Sequence, residues 1–195
     1  MITTQATQVS MSTSSPTAFA FPLVYPQQND GAASRDGNKI HPVGLKIQTV
    51  YDQAGGERLW VRQLILLVHD GKGQDDASVM NTLFESTAAG ITGDIIPTGT
   101  VQDVIRKPNR ERFTCLRDDI VKLVPGSSGS PQHSCEWLKR YIKFPRGSET
   151  VFSNDSDTQP SNNRIVMVVL PMHVDGAGNE NVDVTYRMDY YYKDM

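Results

Sequence analysis

The 195 residues suffice for one hydrophobic core and not for two, and 38% hydrophobic with 21% charged content excludes a fully disordered chain. No run of eighteen apolar residues occurs, so no transmembrane helix is expected. The net charge of −3 is unevenly spread: residues 104–146 carry ten basic and four acidic side chains, which leaves the remainder strongly acidic.

Residues 1–15 are rich in Ser, Thr and Gln, with neither the charged start nor the apolar stretch of a secretory signal peptide. Residues 1–40 are expected to form an N-terminal arm, flexible or ordered by a neighbouring subunit, ahead of one domain over 41–195. Period-two alternation begins at 43–51, where Val43, Leu45, Ile47, Thr49 and Tyr51 share a face. The Gly-bearing stretch 52–56 has hairpin-turn length and leads into a strand at 59–68. The second half of that strand, Leu64 to Val68, is apolar on both faces and must be covered by a further layer or a partner. Turn residues follow at 69–73, and 79–84 reads as a short helix with Ser78 as N-cap.

Weak extended segments are expected at 91–96 and 101–105, then strands at 112–117 and 120–124, and a Gly/Ser loop at 125–131. Residues 137–144 read as extended, with Trp137, Lys139, Tyr141 and Lys143 on one face. A polar loop at 149–163 precedes an apolar strand at 165–172. The clearest strand is 182–193, where Val182, Val184, Tyr186, Met188, Tyr190 and Tyr192 alternate with mostly polar residues. Eight or so short strands, at most a turn or two of helix and no βα alternation give an all-β class. An eight-stranded antiparallel jelly roll, or another β-sandwich, is the expected architecture.

Several strings carry possible chemistry. Gly126-Ser127-Ser128-Gly129-Ser130-Pro131 is similar to the nucleophile loop of chymotrypsin-like serine proteases, with Ser128 in the nucleophile position and His41 or His69 and Asp70 or Asp75 preceding it. A flexible Gly/Ser loop is the simpler reading, because no His has a recognisable flanking motif. His133 and Cys135 are close in sequence, which alone is no nucleophile–base geometry. Cys115 and Cys135 are too few for a disulfide framework and lack zinc-like spacing, so two reduced, half-buried thiols are expected, compatible with a cytoplasmic or nuclear origin. No catalytic site, resident cofactor or metal is assigned. The acidic clusters Asp75-Asp76, Asp118-Asp119, Asp155 with Asp157, and Asp194 leave interface Ca²⁺ as the one ion with a place, and surface aspartates beside turns as the simpler explanation. Of the terminal tyrosines, Tyr186, Tyr190 and Tyr192 are expected in the core and Tyr191 outside it.

Three segments together resemble the coat proteins of small icosahedral viruses, notably the satellite tobacco necrosis virus coat and the coats of circular Rep-encoding single-stranded DNA viruses. They are Trp60-Val61-Arg62-Gln63-Leu64-Ile65-Leu66-Leu67-Val68-His69-Asp70-Gly71, then Glu111-Arg112-Phe113-Thr114-Cys115-Leu116-Arg117-Asp118, and the terminal Val184 to Asp194. Their order and spacing follow the family from about residue 40 onward. The resemblance implies a capsid subunit that self-assembles, without enzymatic activity, into the smallest shell class (T=1, sixty copies). It further implies a single-stranded viral nucleic acid inside, a virion location after assembly in the host cytoplasm or nucleus, and no membrane partner. Family members begin with an Arg/Lys-rich arm, whereas residues 1–45 here hold only Arg35 and Lys39 as cations. Either a longer basic arm lies outside this sequence or genome contact relies on the central basic stretch, where Arg106, Lys107, Arg110, Arg112, Lys139 and Lys143 are the expected nucleic-acid-binding residues. The alternative is a carbohydrate-binding β-sandwich that uses an exposed aromatic such as Trp60, Trp137 or Tyr191.

Overall fold

The computed structural model describes residues 1–13, 20–27, 35, 37–53, 57–70, 76–85, 95–124, 134–146, 148–154, 157–174 and 181–194. Within them antiparallel strands form two sheets packed as a β-sandwich. The strands are β1 (Ile2–Ser12), β2 (Ala20–Pro22), β3 (Lys39–Gln53), β4 (Leu59–Asp70), β5 (Phe113–Leu123), β6 (Ser134–Lys143), β7 (Thr150–Val151), β8 (Asn162–His173) and β9 (Asn181–Asp194). Sheet A runs β1-β9-β3-β6, with β7 appended to β3, and sheet B runs β2-β8-β4-β5. Among the described residues helix is confined to α1 (Asp76–Asn81) and one 3₁₀ turn, Val101–Val104. None of it is long and apolar enough to cross a membrane.

The alternation of β9 is realised from Val182 to Tyr190: Val182, Val184, Tyr186, Met188 and Tyr190 enter the core between the sheets, whereas Tyr192, also expected there, is half-buried against its edge. Leu45, Ile47 and Tyr51 of β3 meet them, and sheet B answers with Leu59, Val61 and Ile65 of β4 and Ile165, Met167 and Val169 of β8. The doubly apolar strand is explained within the chain itself. Leu64, Leu66 and Val68 face away from sheet A and are covered by Val79, Met80, Leu83, Phe84 and Phe113, a second core formed by the chain between β4 and β5. At the strand level, about 25 cal/mol per Å² of apolar area removed from water drives both layers.

Several expectations change. Residues 2–12 are not a solvated or neighbour-ordered arm: they pair along this chain's own terminal strand, from Ile2 opposite Tyr190 to Ser12 opposite Asn181. Met11 is buried in the main core, and the Val24 amide donates to the Thr4 hydroxyl at 2.8 Å. The stretch 52–56 does not close a hairpin, because β3 belongs to sheet A and β4 to sheet B; residues 54–56 lie outside the described set. What joins the two strands is a bond across the core, where the Thr49 hydroxyl donates to Gln63 Oε1 at 2.8 Å and Tyr51 donates to the same oxygen.

The strands expected at 112–117 and 120–124 are one strand, β5, with its register shifted between Cys115 and Arg117. Residues 101–104 are a 3₁₀ turn and not extended. Helix α1 begins before Ser78, whose carbonyl accepts the Thr82 hydroxyl within a helical turn and so is no N-cap. Cys115 and Cys135 are free as expected but exposed, since both lie on edge strands of their sheets.

Candidate nucleic-acid interface

The six expected cations divide between two opposite surfaces. Arg106, Lys107, Arg110 and Arg112 lie in the segment between the 3₁₀ turn and β5, over the outer side of sheet B. Lys139 and Lys143 lie on β6, whose even positions Leu138 and Ile142 turn to the core, so the two lysines face outward from sheet A. They do not form one basic patch.

On the sheet B side the charges are largely matched. Arg106 donates to the fully buried Asp103 carboxylate at 2.6 Å. Asp103 also accepts the Thr98 and Gly99 amides at 2.8 and 2.9 Å, so it organises the turn and Arg106 completes it. Arg106 is thus a structural partner and not an available phosphate ligand. Arg112 is exposed and its carbonyl accepts the His69 amide at 3.0 Å. Lys107 and Arg110 are exposed and line an open cleft of about 450 Å³ with Phe113, Thr114, Cys115 and Asp118. Burial and the neighbouring Asp118 charge push the Cys115 thiol up, so it is a poor thiolate and a poor nucleophile at neutral pH.

Composition alone does not reveal that Arg62 is the centre of this region. It is 3% exposed and reaches Asp118 with two bonds, at 2.9 and 2.6 Å. Its remaining nitrogen donates to the Asp103 carbonyl and, at 2.8 Å, to that of Arg106. The signal was available: one Arg stands among apolar residues on a doubly buried strand, where a charge must be paired. Asp118 and Asp119 point to opposite faces of β5. Burial alone would raise the Asp119 carboxyl, yet hydrogen bonds from Arg140 of β6 and from Arg117 hold it below the ordinary carboxylate range. Asp119 thereby ties the edges of the two sheets, and both aspartates are bound by arginines instead of forming a Ca²⁺ site. Asp75 and Asp155 lie outside the described residues, among which no three His, Cys, Asp or Glu side chains group as metal ligands.

The sheet A face is different. Antiparallel registry sets its outward residues in rows across the strands: Cys135–Asp52–Asp183–Ser10, Trp137–Val50–Thr185, Lys139–Gln48–Arg187–Gln5, Tyr141–Lys46–Asp189–Thr3, and Lys143–Gly44–Tyr191. Trp137 and Tyr141 are 63% and 59% exposed. The Tyr141 ring lies over the backbone of Gly44, where an added Cβ would overlap the phenol, and beside Tyr191 with centroids 6.5 Å apart. Tyr191 is consequently half-buried, not the exposed tyrosine the alternation suggested. Asp189 is 2% exposed. Burial would raise its carboxyl, but bonds from Arg187 and Thr3, at 2.8 Å each, with the Lys46 charge, hold it low. Trp60, on sheet B, is half-buried under the Lys122 ammonium.

The protease string, including Ser128, and His133 lie outside the described residues. His69 is exposed and its ring bonds Thr114 Oγ1 at 2.7 Å and the Glu111 carbonyl at 3.3 Å. Compared with known proteins, the chain matches no family model and no curated protein.

Proposed function

We propose that the chain is the coat subunit of a very small icosahedral virus, a jelly roll of eight principal strands that self-assembles into a T=1 shell around a single-stranded nucleic-acid genome. The observation that carries this reading is the pairing order. With the two-residue β7 set aside, β1 pairs with β9, β2 with β8, β3 with β6 and β4 with β5. The chain therefore runs as one long hairpin rolled so that successive pairs fall in alternate sheets, the wrap expected of a jelly roll, an architecture common in capsids and lectins. Two things favour the capsid among these. The three ordered motifs resemble the coat family, and a lone subunit leaves Ile96, Val101 and Ile105 exposed in one short segment, Ile105 at 82%. A subunit that meets its copies there would cover them.

Size-exclusion chromatography with negative-stain electron microscopy tests the reading. Closed particles of uniform diameter are expected; a monomer at every salt concentration and pH would refute it. A carbohydrate-binding sandwich is the second reading, favoured by the exposure of Trp137, and a blank glycan array disposes of it.

A further inference from the structure

We propose that the outer face of sheet A, along β6, is a stacking platform for single-stranded nucleic acid, with Trp137 and Tyr141 taking bases and Lys139 and Lys143 taking phosphates. The cargo class follows from the coat-protein reading, but the site can be measured on the subunit whether or not shells form. Single-strand binding needs π-faces that are open to solvent and cations between them, because each base can stack and each phosphate needs a counter-charge. β6 supplies both in strict alternation. Side chains on one face of a strand recur at about 7 Å, so the two rings stand about 13 Å apart with Lys139 midway. Arg187 lies in the same row as Lys139, two strands away, with neutral Gln48 between them.

Charge complementarity sets the occupant. Among the acids of this face, Asp189 is buried and bound by Arg187, Thr3 and Lys46, while Asp52 and Asp183 lie in the row beyond Trp137, so the cationic part of the face is the stretch of β6 from Lys139 to Lys143. Lys139 and Lys143 are exposed, and Arg187 keeps half of its side chain in solvent. The rings are also held ready. Gly44 lets the Tyr141 ring lie down on the sheet, and Tyr191 supports its edge. By contrast, Arg106 on the opposite face is tied to Asp103, and among the described residues no exposed Trp or Tyr accompanies Lys107 and Arg110 in their cleft.

Anisotropy of a labelled oligothymidylate, titrated with the full-length protein over a salt series, tests the site. Trp137→Ala is expected to weaken binding by about tenfold, in the range of one lost stacking contact. Lys139→Ser with Lys143→Ser should flatten the slope of log K against log salt by about 1.4, two single-strand phosphate contacts. Lys107→Ser with Arg110→Ser, on the other side, should change neither, and duplex DNA should compete poorly because its bases are already stacked. All the substituted side chains are exposed, and an unchanged melting temperature verifies folding. The inference is overturned if no oligonucleotide binds, if the Trp137 variant binds as well as wild type, if the Lys107/Arg110 variant carries the loss, or if duplex binds equally. Loss of particles with oligonucleotide binding intact in the Trp137 variant would instead make the face a contact between copies, and glycan capture without oligonucleotide binding would make it a sugar site; either overturns it. Particles without oligonucleotide binding would leave the shell reading standing alone, and binding without particles would leave the platform standing alone.

Discussion

Replacing Arg62 with Met should cost about 3 kcal/mol of stability, and the figure can be assembled from its contacts. Met preserves most of the apolar stem, and its sulfur can rest on Phe84, over which the guanidinium now sits at 5.7 Å, so packing changes little. Two losses remain. The forked bond to Asp118 disappears, but Asp118 is 39% exposed and can rehydrate, which limits this part to about 1–2 kcal/mol. The Asp103 carbonyl, in a residue fully removed from solvent, and that of Arg106 lose their donor, which adds about 1–3 kcal/mol.

Urea unfolding followed by far-ultraviolet circular dichroism measures the sum. With m near 2 kcal/mol/M for a chain of this size, the midpoint should fall by about 1.5 M. Arg62→Lys should fall between, since an ammonium cannot hold the carboxylate and both carbonyls as a planar fork does. Asp118→Asn should cost only about 1 kcal/mol, because its site is open to water. A Met variant within 0.5 kcal/mol of wild type would refute the assignment of Arg62 as the pin between sheet B and the 103–106 turn.

Asp119→Asn should destabilise by about 1–2 kcal/mol at neutral pH, discounted because Arg117 and Arg140 are partly solvated. Its carboxyl is depressed in the folded state, so the contribution is complete above the unfolded value near 4 and disappears as pH falls below it. The stability gap between the two proteins should therefore narrow progressively as pH falls below 4, and a gap that does not change with pH would mean that charge pairing is not the cause. Tyr190 behaves in the opposite sense. Burial pushes its hydroxyl up to about 12, and burial raises the Tyr25 and Tyr51 hydroxyls as well. Stability should hold up to the unfolded value near 10 and fall as pH rises through 12. Of the seven tyrosines, three should ionise only with unfolding in an ultraviolet difference titration; a single smooth step near pH 10 in the folded protein would contradict this. In assembled particles, amine acetylation read by mass spectrometry should spare Lys46, Lys139 and Lys143 relative to Lys107, and equal labelling would count against a platform turned inward.

How much could be read in advance depended on whether an element's partners were local and its phase unbroken. β9 announced itself because its alternation runs uninterrupted, and β4 because Leu64 to Val68 form a continuous apolar run. β1 did not, although Ile2, Thr4 and Ala6 and then Val9 and Met11 alternate. Gln8, at φ 53°, shifts the pairing between Ala6 and Val9, so the apolar positions change parity in mid-strand. β3 changes parity in the same way between Pro42 and Gly44, which is why Val43 is only half-buried while Leu45 onward alternates as expected. β5 looked like two strands because Arg117, Asp118 and Asp119 interrupt it. Their partners, Arg62 and Arg140, come from other strands and cannot be found by inspecting neighbours in sequence. The same blindness made a hairpin of β3 and β4, since turn length says nothing about which sheet receives the next strand. The basic stretch was visible as composition, but its division between two faces follows from β5 and β6 occupying the edges of different sheets.

That division gives the sandwich two unlike sides. Sheet B carries its own cover, since the chain between β4 and β5 lies across it, fills its outer core and matches Arg62 and Arg106 to carbonyls and carboxylates. Sheet A has no such layer among the described residues; its outward rows are bare and regular, cationic along β6 from Lys139 to Lys143 and acidic at Asp52 and Asp183 beyond Trp137, with two aromatic rings in the open. The two cations of the first 45 residues do not alter this balance. Arg35 is fully buried, bonded to the carbonyls of Pro26, Gly37, Asn154 and Asp157 and stacked 3.9 Å from the Phe152 ring, and Lys39 pairs with Glu149. Neither of these two cations is left to hold a polyanion. A flat face of alternating lysines and rings suits that task better than the cleft beside Asp118, because a polymer can be tracked along a strand. In the proposed shell this gives the subunit an inside and an outside before any neighbour is added: the covered sheet turned to solvent, the bare one turned to the cargo.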